Sequence, residues 1–419
     1  MAMQVMVDRG LVRAGVTSTR HVLARITAPA AAKPTEQGAV NVALVLDRSG
    51  SMAGEGKIGL ARRAVQGALE LLRPTDRFSL VVYDSTIDIL SPSVLATPEA
   101  KWRALRLLDA IEPRGSTDLG GGWLAGCEQV AASLSPGVVT RVLLLTDGLA
   151  NCGIRDASEL SRHAAELRMR GVSTSTFGVG HDFDERLLGE MAHEGGGNFY
   201  FIEGAAQIPA MLVSELREAL EVTVHGAALS LRSDPAMSIE VLDRHRMSRG
   251  TRGGEARVDL GDLSAGQVVS VVLSVKVPPR ELGTEGELTV ALEGDGWGGA
   301  AERHSVVWCY DSHQANDRQP RCAEVDREVA AMYAARARAE ATEANRSRDF
   351  TRARRVIEGT RRRIARYANN DPQLNAVVQE LERDGVSFCR AMDAPELKAS
   401  YFAAEVFRRS RNHDGSARR

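Results

Sequence analysis

No stretch of the chain approaches the roughly 20 uninterrupted apolar residues that a bilayer-spanning helix needs, so none is expected. Cysteine is sparse. Cys127, Cys152, Cys309, Cys322 and Cys389 are odd in number, widely spaced and include no C-x-x-C pair. This argues against a disulfide framework or a zinc site and fits a reducing cytosol. An excess of one charge is also missing: 53 Lys and Arg stand against 55 Asp and Glu, for a net charge of −2. No global field therefore draws in nucleic acid or a membrane surface. Met1 to Asp8 show no basic region followed by a long apolar run, so no signal peptide is expected and the location reads as cytoplasmic.

What is present is a soluble globular composition, 43% hydrophobic and 26% charged. At 419 residues the chain is too long for one ordinary core and suggests two or three domains. One stretch organises the rest. Asn41 to Leu46 is a short apolar run suited to a strand buried on both faces of a parallel sheet. Directly after it come Asp47, Ser49 and Ser51 at two-residue spacing, with Gly50 allowing a tight turn. A carboxylate and two hydroxyls thus lie past the carboxyl end of a strand, where open α/β sheets bind ligands. Hard oxygen donors without thiolate or imidazole suit Mg²⁺ or another hard divalent ion. Thr117 and Asp118 follow in a loop before a small-residue helix over Leu119–Leu134. A second buried strand, Val142 to Thr146, again ends in a carboxylate, Asp147.

The D-x-S-x-S pattern, a loop Thr and an Asp closing a later apolar strand together resemble the metal-ion-dependent adhesion site of von Willebrand factor A domains. All five matching positions are present: Asp47, Ser49, Ser51, Thr117 and Asp147. Met52 to Lys57 and Thr176 to Gly180 are also similar to the family's usual sequences. The resemblance implies that Ser49, Ser51 and Thr117 touch one divalent cation directly. Asp47 and Asp147 would act directly or through water. Mg²⁺ is the first expectation, with Mn²⁺ and Ca²⁺ open. Arg48 and Asp118, beside the ligands, are candidate partner contacts; Arg48 either engages an acidic partner group or points to solvent.

Residues 37–220 alternate strand and helix, which implies a doubly wound parallel sheet with right-handed crossovers. In strand order 3-2-1-4-5-6, with Ser85–Leu90 as a short third strand, Asp47 closes the first strand and Asp147 the fourth, and these are neighbours. Residues 1–36 carry two strands, Gln4–Val7 and Arg20–Thr27, followed by a linker over Ala28–Pro34. Two strands cannot stand alone in water. Residues 221–310 read as several short alternating strands, as in an antiparallel sandwich. The expected fold is therefore an α/β von Willebrand factor A domain inserted in an antiparallel β-sandwich built from both flanks. Gly253–Glu255 and Gly294–Gly299 read as hairpin turns. Residues 320–411 form a C-terminal α-helical region, with one tetratricopeptide-like hairpin and no second copy. Residues 412–419 are expected to be a disordered tail. The organisation is similar to bacterial proteins loosely called calcium-activated chloride channel homologues, although the channel label does not transfer without a membrane segment.

In the family the ion recruits a carboxylate. The charge argument agrees, since two Asp ligands roughly neutralise a divalent ion and leave an open position for an incoming Asp or Glu. The first functional expectation is thus a binding or scaffold protein, not an enzyme, that uses its cation to capture an acidic residue of a partner protein. The alternative is a metal-dependent hydrolase, or a nucleic-acid-associated factor using the arginines between Arg346 and Arg366. Those arginines have acidic neighbours such as Glu343 and Glu358 and no interleaved aromatics, which favours a solvated helix face. No general base is evident beside the ion, and His181 and His193 lack ligand spacing. Cys152 lies near the Asp147 loop without a base to activate it.

Overall fold

The computed structural model describes residues 2–30, 38–298 and 302–419. The linker residues 31–34 and Gly299 of the expected turn lie outside the described residues. The chain divides into two compact units, one running from Ala32 to Val222 with a small C-terminal contribution, the other formed by the two flanks.

The first unit is the alternating region. Its strands are β4 (Val40–Asp47), β5 (Arg77–Tyr83), β6 (Ile87–Leu95), β7 (Val139–Thr146), β8 (Ser173–Val179) and β9 (Gly196–Ile202). They form one sheet in the order β6-β5-β4-β7-β8-β9. All neighbours are parallel except the edge strand β6, which runs antiparallel to β5. Expected as a short segment, β6 instead extends to Leu95. β4 and β7 are buried at every position, which explains their unbroken apolar character. Their pairing in register, Leu46 beside Leu145, sets Asp47 and Asp147 at adjacent strand ends. The helices are α1 (Lys57–Leu71), α2 (Pro98–Asp109), α3 (Leu119–Ala131), α4 (Ala157–Met169), α5 (Glu185–Glu194) and α6 (Ile208–Leu220).

Helix α3 lies unusually close to the sheet. A methyl at Gly122 would stand 2.4 Å from Tyr83 Cγ, and one at Gly126 would stand 2.3 Å from Val45 Cγ2. The small residues therefore let the backbone of α3 rest directly on β4 and β5, and this fixes the loop that precedes it. On the far side of the sheet, Glu215 of α6 is fully buried. It accepts hydrogen bonds from Arg141 Nη1 (2.7 Å), Ser175 Oγ (2.5 Å), Asn198 Nδ2 (3.0 Å) and Tyr200 Oη (2.5 Å). A buried carboxylate with this many donors is compensated and ties three strands to one helix.

In the second unit, β1 (Met3–Val7), β3 (Ser18–Thr27), β14 (Val268–Val277) and β11 (Ser238–Val241) form a four-stranded antiparallel sheet in the order β1-β3-β14-β11. The other sheet has the order β12-β13-β10-β15-β16-β2, from β2 (Leu11–Arg13), β10 (Val222–Ser233), β12 (Arg246–Arg249), β13 (Glu255–Ser264), β15 (Glu285–Asp295) and β16 (Arg303–Asp311). β2 joins β16 in parallel. Val222–Val224 and Leu229–Leu231 belong to one strand, β10, despite the interrupted alternation between them. β10 absorbs the break through an irregularity between His225 and Ala228, where Gly226 has a positive φ of 58°.

The two sheets share one core. Val22, Ala24, Ile26, Val271 and Leu273 of one sheet meet Leu229, Leu231, Val290 and Trp308 of the other. Alternation along β3 sends Leu23 to the opposite face. There it packs with Val272 against Val325, Val329 and Met332 of α8 (Ala323–Arg346). Arg25 on the same face pairs with Glu324 and Glu328 of that helix. Helices α9 (Phe350–Ala368), α10 (Pro372–Ser387) and α11 (Ala394–Arg408) follow the short α7 (His313–Arg318). Ala330, Ala334, Ala337, Ala341 and Ala344 of α8 meet Ile357, Ile364, Leu374 and Leu381, so a stripe of small residues faces larger aliphatics. The expectation of a disordered tail is corrected. Arg411 bridges Ala417, the Arg418 carbonyl accepts from Val268 N–H at 2.8 Å, and the Arg418 guanidinium lies 5.1 Å from the Phe407 ring centroid. Tertiary contacts override the weak local signal of that segment.

Among the described residues no helix is long and apolar enough to cross a membrane, and all five cysteines are free thiols.

Candidate metal centre

The site grows from the ends of β4 and β7. Asp47 is fully buried. Its Oδ1 accepts from Ser49 N–H at 2.7 Å, which curls the loop back over the strand end. Its Oδ2 accepts from Thr146 Oγ1 at 2.6 Å. Burial pushes the Asp47 carboxyl up to about 6, against the lowering effect of the Thr146 and Ser49 hydrogen bonds, and the nearby Asp147 charge adds to the rise. Such a carboxylate gains when a cation arrives.

The two serine hydroxyls lie 3.0 Å apart. Ser51 Oγ donates to Asp147 Oδ1 at 2.6 Å, and Asp147 is as fully buried as Asp47. Thr117 is placed by its backbone: its N–H donates to Asn151 Oδ1 at 2.7 Å, and its carbonyl accepts from Asn151 and Cys152 N–H, both at 3.1 Å. A methyl at Gly148 would stand 3.5 Å from Ser51 Oγ and 3.7 Å from Thr117 Oγ1, so these two hydroxyls flank the same point of the backbone. The structure thus brings together all five residues singled out in the sequence. Ser51 is exposed while the other four are buried, which leaves the cluster open to solvent on the Ser51 side. Two carboxylates and three hydroxyls, with no sulfur or imidazole among them, form a donor set that fits one hard divalent cation.

The loop that carries Thr117 is clamped from both sides. Gly50 N–H donates to the Gly115 carbonyl at 3.2 Å, and Arg114 N–H to the Arg48 carbonyl at 2.8 Å. Asp118 N–H donates to the Asp84 carbonyl at 2.8 Å. Asp118 Oδ1 accepts from Gly121 N–H at 2.9 Å and so caps α3.

Arg48 corrects an expectation. Its side chain neither points to solvent nor reaches outward to a partner: it is 5% exposed and held by Asp84 and Asp88. Nε donates to Asp84 Oδ2 at 2.8 Å, and Nη2 donates to Asp88. Asp84 also accepts from Arg114 Nε at 2.9 Å and from Thr86 N–H and Oγ1 at 2.7 and 2.9 Å. Burial alone would raise its carboxyl, but the Arg114 and Thr86 hydrogen bonds and the Arg48 charge outweigh it and hold it down at about 2. Arg48 therefore fastens the loop after β4 to the turn between β5 and β6 and to the start of β6.

Three contributors were not identified as such in the sequence. Thr146 and Asn151 hold the candidate ligands Asp47 and Thr117 by hydrogen bonds that no spacing rule reveals. Lys57 was noted only within a family-like stretch, yet its Nζ lies 2.7 Å from Asp147 Oδ2 and its side chain is 12% exposed. A 3-10 turn over Gly50–Gly56, with Glu55 and Gly56 both at positive φ, starts α1 at Lys57 and aims the side chain back at the site.

Residues 41–212 match the family model of the von Willebrand factor type A domain. The protein YfbK of Escherichia coli (strain K12) is 28% identical over 58% of this chain and 43% of its own length. Inter-alpha-trypsin inhibitor heavy chain H4 of Homo sapiens is 29% identical over 38% of this chain and 17% of its own. The chain thus spans less than half the length of these curated relatives. Among solved structures, a von Willebrand factor type A protein from Catenulispora acidiphila aligns with a TM-score of 0.70 at 16% identity, covering 100% of this chain and 97% of that one. The ArnB paralog VWA2 from Sulfolobus acidocaldarius gives 0.58 at 19% identity, covering 93% and 99%. At these identities the likeness is one of fold.

Proposed function

We propose, from the premise that residues 41–212 are a von Willebrand factor type A domain, that the chain is a cation-dependent protein-binding module that captures an acidic side chain of a partner. The strands of both flanks read as one sandwich into whose sequence this domain is inserted. Domains of this family are generally interaction modules, and the reading is of a binding protein, not an enzyme.

The observation that carries the proposal is the run of oxygens Ser49 Oγ, Ser51 Oγ and Asp147 Oδ1, spaced 3.0 and 2.6 Å, beside the Asp47 carboxylate that accepts from Ser49 N–H at 2.7 Å. Ser49, Ser51 and Thr117 would be direct ligands, with Asp47 and Asp147 acting directly or through water. When bound, a divalent ion, Mg²⁺ by preference, supplies one open electrophilic position for a carboxylate. The chain's own residues do the rest. Thr146 and Ser49 orient Asp47, Ser51 orients Asp147, and the hydrogen bonds of Asn151 hold the Thr117 backbone. Arg48, bound to Asp84 and Asp88, keeps the loop from shifting when the partner pulls on it. No imidazole lies in this cluster to activate a hydroxyl as a nucleophile.

The test is affinity capture with the intact chain as bait in Mg²⁺ and in EDTA, followed by replacement of acidic residues in each captured partner with their amides. The proposal expects capture that requires the ion and fails for one Asp→Asn or Glu→Gln partner variant. Capture that is equal in EDTA, by a chain that binds Mg²⁺, would overturn it.

A further inference from the structure

From the placement of Lys57 we infer that this residue sets the charge of the metal centre, weakening the hold on the cation while making the filled site selective for a monoanionic carboxylate. The inference rests on the metal-centre reading above and adds to it a residue and the charge it imposes on the site.

The two oxygens of Asp147 have different partners. Oδ1 accepts from Ser51 Oγ, on the side of the hydroxyl cluster, and Oδ2 accepts from Lys57 Nζ at 2.7 Å. The ammonium is nearly enclosed: its side chain is 12% exposed, Asp147 is fully buried, and a methyl at Gly180 would stand 3.7 Å from Nζ. A lysine in such a place gives up most of its hydration, and the Asp147 carboxylate 2.7 Å away compensates it. Its position at the start of α1, after the left-handed pair Glu55 and Gly56, is fixed by backbone and not by a flexible loop.

The charge count follows. Asp47 and Asp147 contribute −2 and Lys57 contributes +1, so the protein offers a divalent cation a site of −1. Filled, the centre is +1, not neutral as two carboxylates alone would make it. A +1 centre binds a neutral hydroxyl or water less favourably than an anion, and one carboxylate brings it to zero. A dianion would overshoot, and Arg48, the other buried cation of the loop, is already held by Asp84 and Asp88. Lys57 thus opposes the metal ion, which is like-charged, and favours the incoming carboxylate, which is not. These opposite signs separate a charge-setting role from a structural one. A residue that merely props up the loop would weaken both ligands when lost.

Mn²⁺ and acetate serve as probes. The full chain and its Lys57→Met, Lys57→Gln and Lys57→Arg variants are stripped with EDTA, dialysed and titrated with Mn²⁺ by calorimetry. Acetate is then added to the Mn²⁺ form while water-proton relaxation reports displacement of metal-bound water. A unit charge a few ångströms from a divalent ion is worth roughly tenfold in affinity even with water-like screening. Lys57→Met should therefore bind Mn²⁺ roughly tenfold tighter, and its acetate midpoint should rise roughly threefold or more. Lys57→Arg should stay near wild type in both. Stripped Lys57→Met should also melt below stripped wild type, because Asp147 has lost its cation, and should gain more from Mn²⁺. If Lys57→Met binds Mn²⁺ no tighter, or releases water at the wild-type acetate concentration, the inference is overturned. Should Lys57→Met fail to fold, Lys57→Gln carries the same two expectations, and failure of both to fold even in Mn²⁺ would also overturn it. A wild-type chain that takes no Mn²⁺ overturns the metal-centre reading itself. A wild type that takes it alongside indifferent Lys57 variants overturns this inference alone.

Discussion

Ser51 Oγ and Asp147 Oδ1 stand 2.6 Å apart although 96 positions separate them in the chain. That hydrogen bond joins the loop after β4 to the end of β7, and the two strands lie side by side because the sheet reverses its winding between them. The contact brings a hydroxyl and a carboxylate into one donor set. Calorimetry should show one Mg²⁺, Mn²⁺ or Ca²⁺ bound per wild-type chain. Asp47→Ala should abolish the binding heat, and Ser51→Ala, which removes a neutral donor, should weaken it without abolishing it. Equal binding by Asp47→Ala would remove the assignment.

Thr117→Ala tests what the ion is for. The variant loses one neutral ligand and leaves both carboxylates, while the backbone bonds of Thr117 to Asn151 and Cys152 remain. Stability should fall by only about 1 kcal/mol, whereas capture of the acidic partner should be lost. Melting and capture measured on the same sample decide the matter. A large fall in melting temperature with unchanged capture per folded molecule would mark the ion as purely structural.

The Asp84 cluster predicts an acid-labile component of stability. The folded carboxyl titrates at about 2, below its ordinary value of 3.8. A depressed folded value contributes stability above the unfolded value and loses it as pH falls toward the folded one. The contribution is about 2.5 kcal/mol at most. Wild type should therefore exceed Asp84→Asn in stability from neutral pH down to about pH 4, and the gap should close between there and about pH 2. Chemical denaturation of both proteins across that range measures it. A gap that stays constant to pH 2 would show that charge is not its origin.

Gly126→Ala sets two effects against each other. Alanine favours an isolated helix by about 1 kcal/mol. Here, however, the added methyl would meet Val45 Cγ2 at 2.3 Å, so α3 must lift from the sheet. We expect a net loss of about 1–3 kcal/mol together with weaker metal binding, because the loop bearing Thr117 leads into that helix. Pairing the change with Val45→Ala should restore part of both. Denaturant melts and metal titrations of the single and double variants provide the check.

Much of the inserted domain is legible in the sequence because β4 and β7 are buried on both faces and so read as unbroken apolar runs, each closed by an aspartate. Residue type and order suffice there. The role of Arg48 was not legible, since its partners Asp84, in the turn after β5, and Asp88, at the start of β6, lie more than thirty positions away. Lys57 was missed as a participant for a related reason: only the left-handed backbone at Glu55 and Gly56 turns it toward Asp147. β2 and β12, of three and four residues, are too short to carry a period and exist because a neighbouring strand pairs with them. The continuity of β10 was not legible because a bulge interrupts alternation in the same way as a turn.

The pairing of β3 with β14 imposes an order of events on biosynthesis. Thr27 lies beside Val268 and Ser18 beside Val277, so a strand that leaves the ribosome early waits for one made after the whole inserted domain. The inserted sheet draws all six of its strands from an uninterrupted stretch of chain and is free to close first. Until β14 arrives, β3 has only β1 to cover its backbone, and the core around Val22, Ala24 and Ile26 lacks Val271 and Leu273. During that nascent interval the unpaired edge of β3 is open to mispairing in a way that the finished sheet is not.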